Sequence, residues 1–249
     1  MLLRKTVFFC LLIAIWAAIS KLAVVPAELL PSPARVASVL GRGIFSGSLL
    51  YDVGASLRRI LVGYGMASIF GFLVGFALLK NSFLKETLGS LLMWLQTIPS
   101  IAYMPLAALW FGTGEGVVLL IIVFAASWPI IINTEDAFRN IQPNLVNAAR
   151  TMGFRGWNLF RQVQLPAAFP TLLAGLKLSW AFSWRALIAA ELLSEGRGLG
   201  QALMAGKETN DMAITIAVLI LIALLAGLVD EVVFQQVEKR VQKKWETIS

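Results

Sequence analysis

The sequence predicts an all-α polytopic membrane protein with six transmembrane helices. Of its 249 residues, 58% are hydrophobic and 14% are charged, whereas soluble domains average about 25% charged residues. The mean hydropathy is +0.79. The apolar residues lie in long uncharged runs of about 20 residues, the length that a helix needs to cross a bilayer. These observations exclude a water-soluble globular domain.

Six runs along the chain are apolar enough to span a membrane. The first begins at Thr6 and reaches Val25 if the Lys21 side chain extends to the interface. A signal peptide is an alternative interpretation of this run, because a basic start precedes it and small residues follow. The predicted spans are residues 6–25, 59–79, 87–110, 116–134, 168–194 and 212–232.

Two longer segments lie between the spans. Residues 30–58 read as an external turn followed by a short amphipathic helix on the membrane surface, and residues 135–167 form the longest loop. With six spans, twelve basic residues fall on one side and seven on the other, and the remaining two of the 21 lie within the fifth span. The positive-inside bias places both termini and the 135–167 loop in the cytoplasm.

The composition also excludes several classes of function. The single cysteine, Cys10, permits no disulfide within the chain, and the absence of histidine argues against a zinc enzyme or a Ser-His-Asp hydrolase. The sequence contains no Walker-type nucleotide loop. The basic residues are separated by uncharged runs and form no stripe, so the net charge of +7 does not indicate nucleic-acid binding.

The long loop carries a helical pattern. Pro143 can begin a helix, Leu145, Ala149 and Met152 then fall on one face, and Gly153 suits its C-terminal end. A second helical stretch, residues 156–164, is expected to end at Leu165 and Pro166, where the chain re-enters the membrane. The pattern of residues alone is consistent with two roles for this loop: its helix could lie among lipid headgroups, or it could dock to a partner protein.

The same loop resembles the EAA motif of ABC importer permease subunits. Asn147, Ala148 and Ala149 are followed after three residues by Gly153. Nine residues later comes the sequence Val163-Gln-Leu165-Pro166. The motif has glutamate where this chain has Asn147. Other stretches resemble the branch that includes nitrate, taurine, aliphatic-sulfonate and bicarbonate permeases, namely residues 30–36, 56–63, 98–115, 129–134 and 190–200.

This resemblance implies a type I importer permease in the bacterial cytoplasmic membrane, working in the lipid bilayer. The loop would be the coupling helix that docks on an ATPase, through Asn147, Ala148, Ala149, Met152, Gly153, Leu165 and Pro166. Implied partners are a second permease copy, two cytoplasmic ABC ATPase subunits and an extracytoplasmic solute-binding protein. ATP and Mg²⁺ would be used by the ATPases, and no cofactor is expected on this chain.

The implied function is import of a small oxyanion or sulfonate-like solute. One alternative is the same machine carrying a neutral or cationic nutrient, such as a thiamine-pyrimidine precursor. Another is a stand-alone channel or scaffold without an ATPase. An intramembrane enzyme finds no support, since no catalytic constellation is evident in the sequence.

Prolines and small residues are candidates for the moving parts. Pro99 and Pro105 in the third span and Pro129 in the fourth each remove a backbone hydrogen bond, and so predict kinks or unwound points. In the second span, Gly71 and Gly75 belong to a small-residue pattern that predicts close approach of a neighbouring helix.

Charged residues in the fifth span are candidates for the translocation pathway. A charge near the centre of a membrane helix costs at least ~2.5 kcal/mol, so Arg185 and Glu191 require an explanation. Trp184 and Glu191 share one helix face and Arg185 is turned away from it, so no ion pair within the helix is expected. Arg185 either lends positive potential to an anion pathway or pairs with another helix.

Overall fold

The computed structural model describes residues 2–22 and 25–246 of the chain, and within them it contains helices and no strand. The predicted all-α class is confirmed. The helices are α1 Leu2–Lys21, α2 Pro33–Phe45, α3 Ser48–Lys80, α4 Ser82–Leu95, α5 Ser100–Phe111, α6 Glu115–Arg139, α7 Pro143–Thr151, α8 Gly156–Leu193, α9 Leu199–Glu208 and α10 Met212–Val241.

Four of these helices, α3, α6, α8 and α10, are long and apolar enough to cross a membrane. A fifth crossing arises if α4 and α5 together form one broken span, and the apolar part of α1, Thr6–Lys21, is shorter than a full span. Residues 23 and 24 of the predicted first span lie outside the described residues. The other predicted spans lie within these elements, and the helices differ from the expected pattern at three places.

The helix that contains the second predicted span begins well before residue 59. Helix α3 starts at Ser48, so the predicted segment 30–58 contains a turn and a short helix, α2, as expected, and also the first turns of α3. Arg58 lies within α3, and its guanidinium pairs with the Glu115 carboxylate at 2.7 Å. An ion pair at the helix surface allows the helix to continue through a charged position.

The third span is not one helix. Its two parts, α4 and α5, meet at 94° across the residues 96–99. Ile98 precedes a proline and is therefore driven away from the helical backbone region, and Pro99 has no N–H with which to continue the helix. The unwound point that Pro99 predicts is confirmed. Pro105, in contrast, lies in the first turn of a helical segment, where proline is well tolerated.

The expected helix end at Leu165 and Pro166 is wrong. Helix α8 runs unbroken from Gly156 to Leu193 and contains both Pro166 and Pro170. A wider π-helical turn occupies Phe160–Gln164, immediately before Pro166. A π-turn moves the preceding carbonyls out of the register that a proline ring would otherwise strike, so the helix can pass through Pro166.

The described chain divides into two compact units. The first comprises Met1–Leu57 with Glu191–Leu225, and the second comprises Arg58–Ala190 with Ala226–Ser249. In the first unit, Val36 of α2 packs against Ala213 and Ala217 of α10, and Trp16 of α1 covers this cluster. The Trp16 indole donates to the Pro31 carbonyl at 3.1 Å, which ties α1 to the turn before α2.

Helix α6 forms the core of the second unit. It contributes most of the buried aliphatic side chains there, and α3 lies against it at the small residues predicted for close approach. A Cβ on Gly71 would lie 2.8 Å from Ile130, and one on Gly75 would lie 2.6 Å from Thr134. The small-residue stripe therefore packs two helices of the same chain together.

Candidate functional site

The break between α4 and α5 forms one wall of a cleft in the second unit. The cleft has a volume of about 500 Å³, and α6 and α8 supply its other walls. Its lining is largely apolar, with a few polar side chains among aliphatic and aromatic ones, as is typical of small-molecule sites. The polar and charged lining residues are Gln96, Ser100, Asn133 and Arg185.

Arg185 is the charged group of this cleft. Its guanidinium carbon lies 5.3 Å from the centre of the Phe182 ring, one helical turn earlier, and Phe182 lines the cleft as well. A cation above an aromatic face is attracted by the ring quadrupole, so Phe182 helps to hold the guanidinium at the cleft. Within the described part of the second unit, no carboxylate lies within ion-pair distance of Arg185.

The sequence-predicted pathway residues do not all meet here. Pro99, Pro129 and Arg185 line the cleft. Trp184 is only 5% exposed, and its ring packs edge-on against Trp180 at 5.9 Å. Trp184 and Arg185 also border a second cavity of about 620 Å³.

Glu191 has a different setting, in the first unit. Its carboxylate is fully buried and accepts hydrogen bonds from the Ser56 hydroxyl at 2.8 Å and the Gly200 N–H at 2.9 Å. The Ser56 hydroxyl oxygen in turn accepts from the Leu199 N–H at 2.8 Å. Leu199 and Gly200 open helix α9, so the pair of side chains caps its N-terminus, where a negative charge is stabilised.

Gly198 completes this arrangement. A Cβ at that position would lie 2.5 Å from Glu191 Oε1, so only glycine leaves room for the carboxylate. The Gln201 side-chain amide also donates to the Glu191 carbonyl at 2.7 Å and to the Ser194 carbonyl. Glu191 thus has a structural function in holding the turn between α8 and α9.

The loop between α6 and α8 forms the second candidate site. Helix α7 ends in a Schellman motif, in which Gly153 N–H donates to the Arg150 carbonyl at 3.1 Å and Phe154 N–H to the Ala149 carbonyl at 3.0 Å. Gly153 has φ +91°, the left-handed conformation that its predicted role requires. The local geometry expected of this glycine is confirmed.

The apolar face of α7 is only partly covered. Ala149 is buried, whereas Leu145 is 41% exposed and Met152 76% exposed. Trp157 at the start of α8 is 70% exposed, although its ring stacks on Phe160 at 5.2 Å. The loop therefore exposes three large apolar side chains, which we call the loop patch: Leu145, Met152 and Trp157.

The base of this loop is fixed by charge and by aromatic packing. The Glu135 carboxylate, near the end of α6, pairs with Lys85 of α4 and with Arg139 at 3.2 Å. Phe138 stacks on Phe160 at 5.6 Å with nearly parallel planes. These contacts thus connect the loop patch to the helices that also line the cleft.

Sequence reasoning missed most of the polar lining of the cleft. Gln96 and Ser100 flank Ile98 and Pro99 in a run without charged residues. A single amide and a single hydroxyl beside a predicted helix break were the only features of the sequence that could have indicated this polar lining. Asn133 was noted only as part of a resemblance. No sequence feature indicated Phe182, because its role depends on the contact of its ring with Arg185, one helical turn away.

Comparisons with known proteins identify relatives of the chain. Residues 67–243 match the family described as binding-protein-dependent transport system inner membrane component. A Bacillus subtilis (strain 168) protein, provisionally named aliphatic sulfonates transport permease protein SsuC, is 34% identical over 79% of this chain and 71% of its own length.

Two further relatives have related names. The nitrate import permease protein NrtB of Leptolyngbya laminosa is 35% identical over 64% of this chain and 57% of its own length. The taurine transport system permease protein TauC of Escherichia coli (strain K12) is 29% identical over 79% of this chain and 74% of its own length.

Among solved structures, the chain is similar to one from an inward-facing conformation of the MetNI methionine ABC transporter. The TM-score is 0.66 at 22% identity, and the match covers 78% of this chain and 95% of the other. At this identity the likeness concerns the fold.

Proposed function

The chain belongs to the family of binding-protein-dependent transport inner membrane components and is the permease subunit of an ABC importer, and from this premise we propose that its solute is a small oxyanion or sulfonate. It is a transport component and not an enzyme, since ATP hydrolysis in this family belongs to a separate subunit. The relatives named for sulfonate, nitrate and taurine transport support a solute that carries a sulfonate or oxyanion group.

A single observation carries the assignment to an anion, namely that Arg185 lines the cleft without a carboxylate partner in its unit. A guanidinium that forms no ion pair within a membrane span is costly unless water or a solute compensates it. The cleft would therefore form part of the translocation pathway, with Arg185 supplying positive potential. Pro99 and Pro129 would give its walls the capacity to bend.

The test is uptake by proteoliposomes that contain the permease, its ATPase and its binding protein. Arg185→Gln keeps the hydrogen-bonding ability and removes the charge, so sulfonate or nitrate uptake should fall at least several-fold while the melting temperature does not decrease. Lys80→Gln, at the exposed end of α3, is the matched charge-removing control. Full uptake by a stable Arg185→Gln complex would contradict the anion pathway and favour a neutral or cationic solute.

The loop patch is the proposed docking surface for the ATPase. An exposed methionine and tryptophan beside a rigid helix end are suited to a hydrophobic groove on a partner. The coupling residues Asn147, Ala148, Ala149, Met152, Gly153, Leu165 and Pro166 would act through this helix and the start of α8. Asn147 is exposed, and an amide there can donate or accept a hydrogen bond.

Co-purification tests the docking surface. Met152→Glu places a charge on the loop patch and should reduce the amount of ATPase recovered with the permease. Asn140→Glu adds the same charge in the same loop outside α7 and should leave recovery unchanged. Equal recovery from both variants would remove the loop patch as the docking surface, and loss of the ATPase from the wild-type permease as well would favour a stand-alone channel or scaffold.

The proposed assembly contains two permease copies in the bacterial cytoplasmic membrane, with six spans in each and both termini in the cytoplasm. Two ATPase subunits would bind ATP and Mg²⁺ on the cytoplasmic side, and a solute-binding protein would deliver the solute from outside. The basic residues, twelve on the cytoplasmic side against seven, support this orientation.

A further inference from the structure

The cleft carries hydrogen-bond donors along the α4–α5 break and on α8. The first hydrogen bond of α5 runs from Ala102 N–H to the Pro99 carbonyl at 2.8 Å. The N–H groups of Ser100 and Ile101 precede it, so neither has a partner within the helix. Ser100, Ile101 and Arg185 all line the cleft.

Acceptors are concentrated on α6. Pro129 lies inside this helix and has no N–H, which leaves the Ala125 carbonyl without its partner one turn later. The Asn133 side-chain NH₂ donates to the Pro129 carbonyl at 2.8 Å, so the amide oxygen Oδ1 is the end that remains for another donor. Ala125, Pro129 and Asn133 all line the cleft.

From this separation of the positive charge and the hydrogen-bond acceptors we infer that the cleft is a solute-binding site of the permease itself. It takes a bipolar solute, which has an anionic group at one end and a hydrogen-bond donor at the other. The sulfonate or other oxyanion group would lie at Arg185, and an amine or hydroxyl group would donate to Ala125 O and Asn133 Oδ1. The inference rests on the proposed function and narrows its solute class. A volume of about 500 Å³ is within the range of small-molecule sites.

The matched ligands are 2-aminoethanesulfonate and ethanesulfonate, which differ by the donor group. The permease–ATPase complex is placed in lipid nanodiscs without the binding protein, and ethanesulfonate displaces bound radiolabelled 2-aminoethanesulfonate. Because one hydrogen bond is worth about fivefold in affinity, the aminosulfonate should bind at least about fivefold more tightly. Asn133→Leu should lower this ratio by at least about twofold, because only the Ala125 carbonyl then remains as an acceptor.

Two further variants protect the test against misfolding of Asn133→Leu. Asn133→Asp keeps the shape and adds negative charge to the acceptor, so the preference for the aminosulfonate should increase. Arg185→Gln should weaken both ligands by about tenfold or more, since each loses its ionic partner. Lys80→Gln is the control and should bind both ligands as the wild-type complex does.

The outcomes separate the two claims. If the complete system imports no sulfonate or oxyanion at all, the proposed function fails. If it imports them but the nanodisc complex binds neither ligand, or binds both equally, the inference alone is overturned. An unchanged ratio in Asn133→Leu and Asn133→Asp overturns it as well.

Discussion

Replacing Gly198 with alanine tests the buried carboxylate network of the first unit. Gly198 has an extended backbone that any residue can adopt, so the change introduces no conformational strain, only a methyl group. That methyl would lie 2.5 Å from Glu191 Oε1 and 2.7 Å from Oε2. Glu191 is fully buried and its oxygens bind Ser56 and Gly200, so the carboxylate has nowhere to move without losing these bonds.

The cost combines overpacking with a weakened hydrogen bond to a charged group. Each contributes about 1 to 3 kcal/mol, and together we expect a loss of about 2 to 6 kcal/mol. For a chain of this length, that corresponds to a decrease in Tm of roughly 4 to 24 °C. The measurement is thermal unfolding of the purified permease in detergent, followed by tryptophan fluorescence.

Two companion variants make the interpretation specific. Gly41→Ala, in α2, adds a methyl that meets no atom within 4 Å and should leave Tm unchanged or slightly raised. Glu191→Asp withdraws the carboxylate by one methylene, so the double variant with Gly198→Ala should be more stable than the sum of the two single effects. A Tm within 2 °C of wild type for Gly198→Ala, or strictly additive effects, would refute the reasoning.

Three other predictions concern coupling, orientation and the loop base. Gly153→Val forces a side chain into φ +91°, at a cost of about 1 kcal/mol or more, so uptake and stimulated ATPase activity should fall together, and normal coupling would contradict the loop's role. In a Cys10-free background, an external maleimide should label a cysteine at Arg42 and spare one at Glu246, and the reverse pattern would overturn the orientation. Glu135→Gln should lower Tm by only about 1 to 3 °C, because ion pairs at a protein surface contribute ~1 kcal/mol or less. A larger decrease would show that the pairs of Glu135 with Lys85 and Arg139 are stronger than this.

Elements with local causes could be predicted from the sequence. Gly153 ends α7, and Pro99 breaks the third span, because each effect depends on the residue's own backbone. The close approach of α3 and α6 followed from the spacing of Gly71 and Gly75.

Features that depend on distant partners could not be predicted in this way. The ion pair of Arg58 in α3 is one example, because its partner, Glu115, lies 57 residues further along the chain. Glu191 was predicted as a pathway residue because it is a charge within a span. Its hydrogen bond to Ser56 could not be predicted, because the two residues are 135 positions apart in the chain. The continuation of α8 through Pro166 depends on a change of helix type that composition does not encode.

The 94° bend between α4 and α5 also determines how many times the chain crosses the membrane. The two helices have 14 and 12 residues, about 21 and 18 Å, so neither alone reaches across a hydrocarbon core of about 30 Å. If both cross together, five passages separate Arg42 from Glu246 and these residues lie on opposite faces. If the pair instead turns back, four passages separate them, and every loop after Phe111 changes side. The path of the chain at residues 96–99 thus determines on which side of the membrane each loop in more than half of the chain lies.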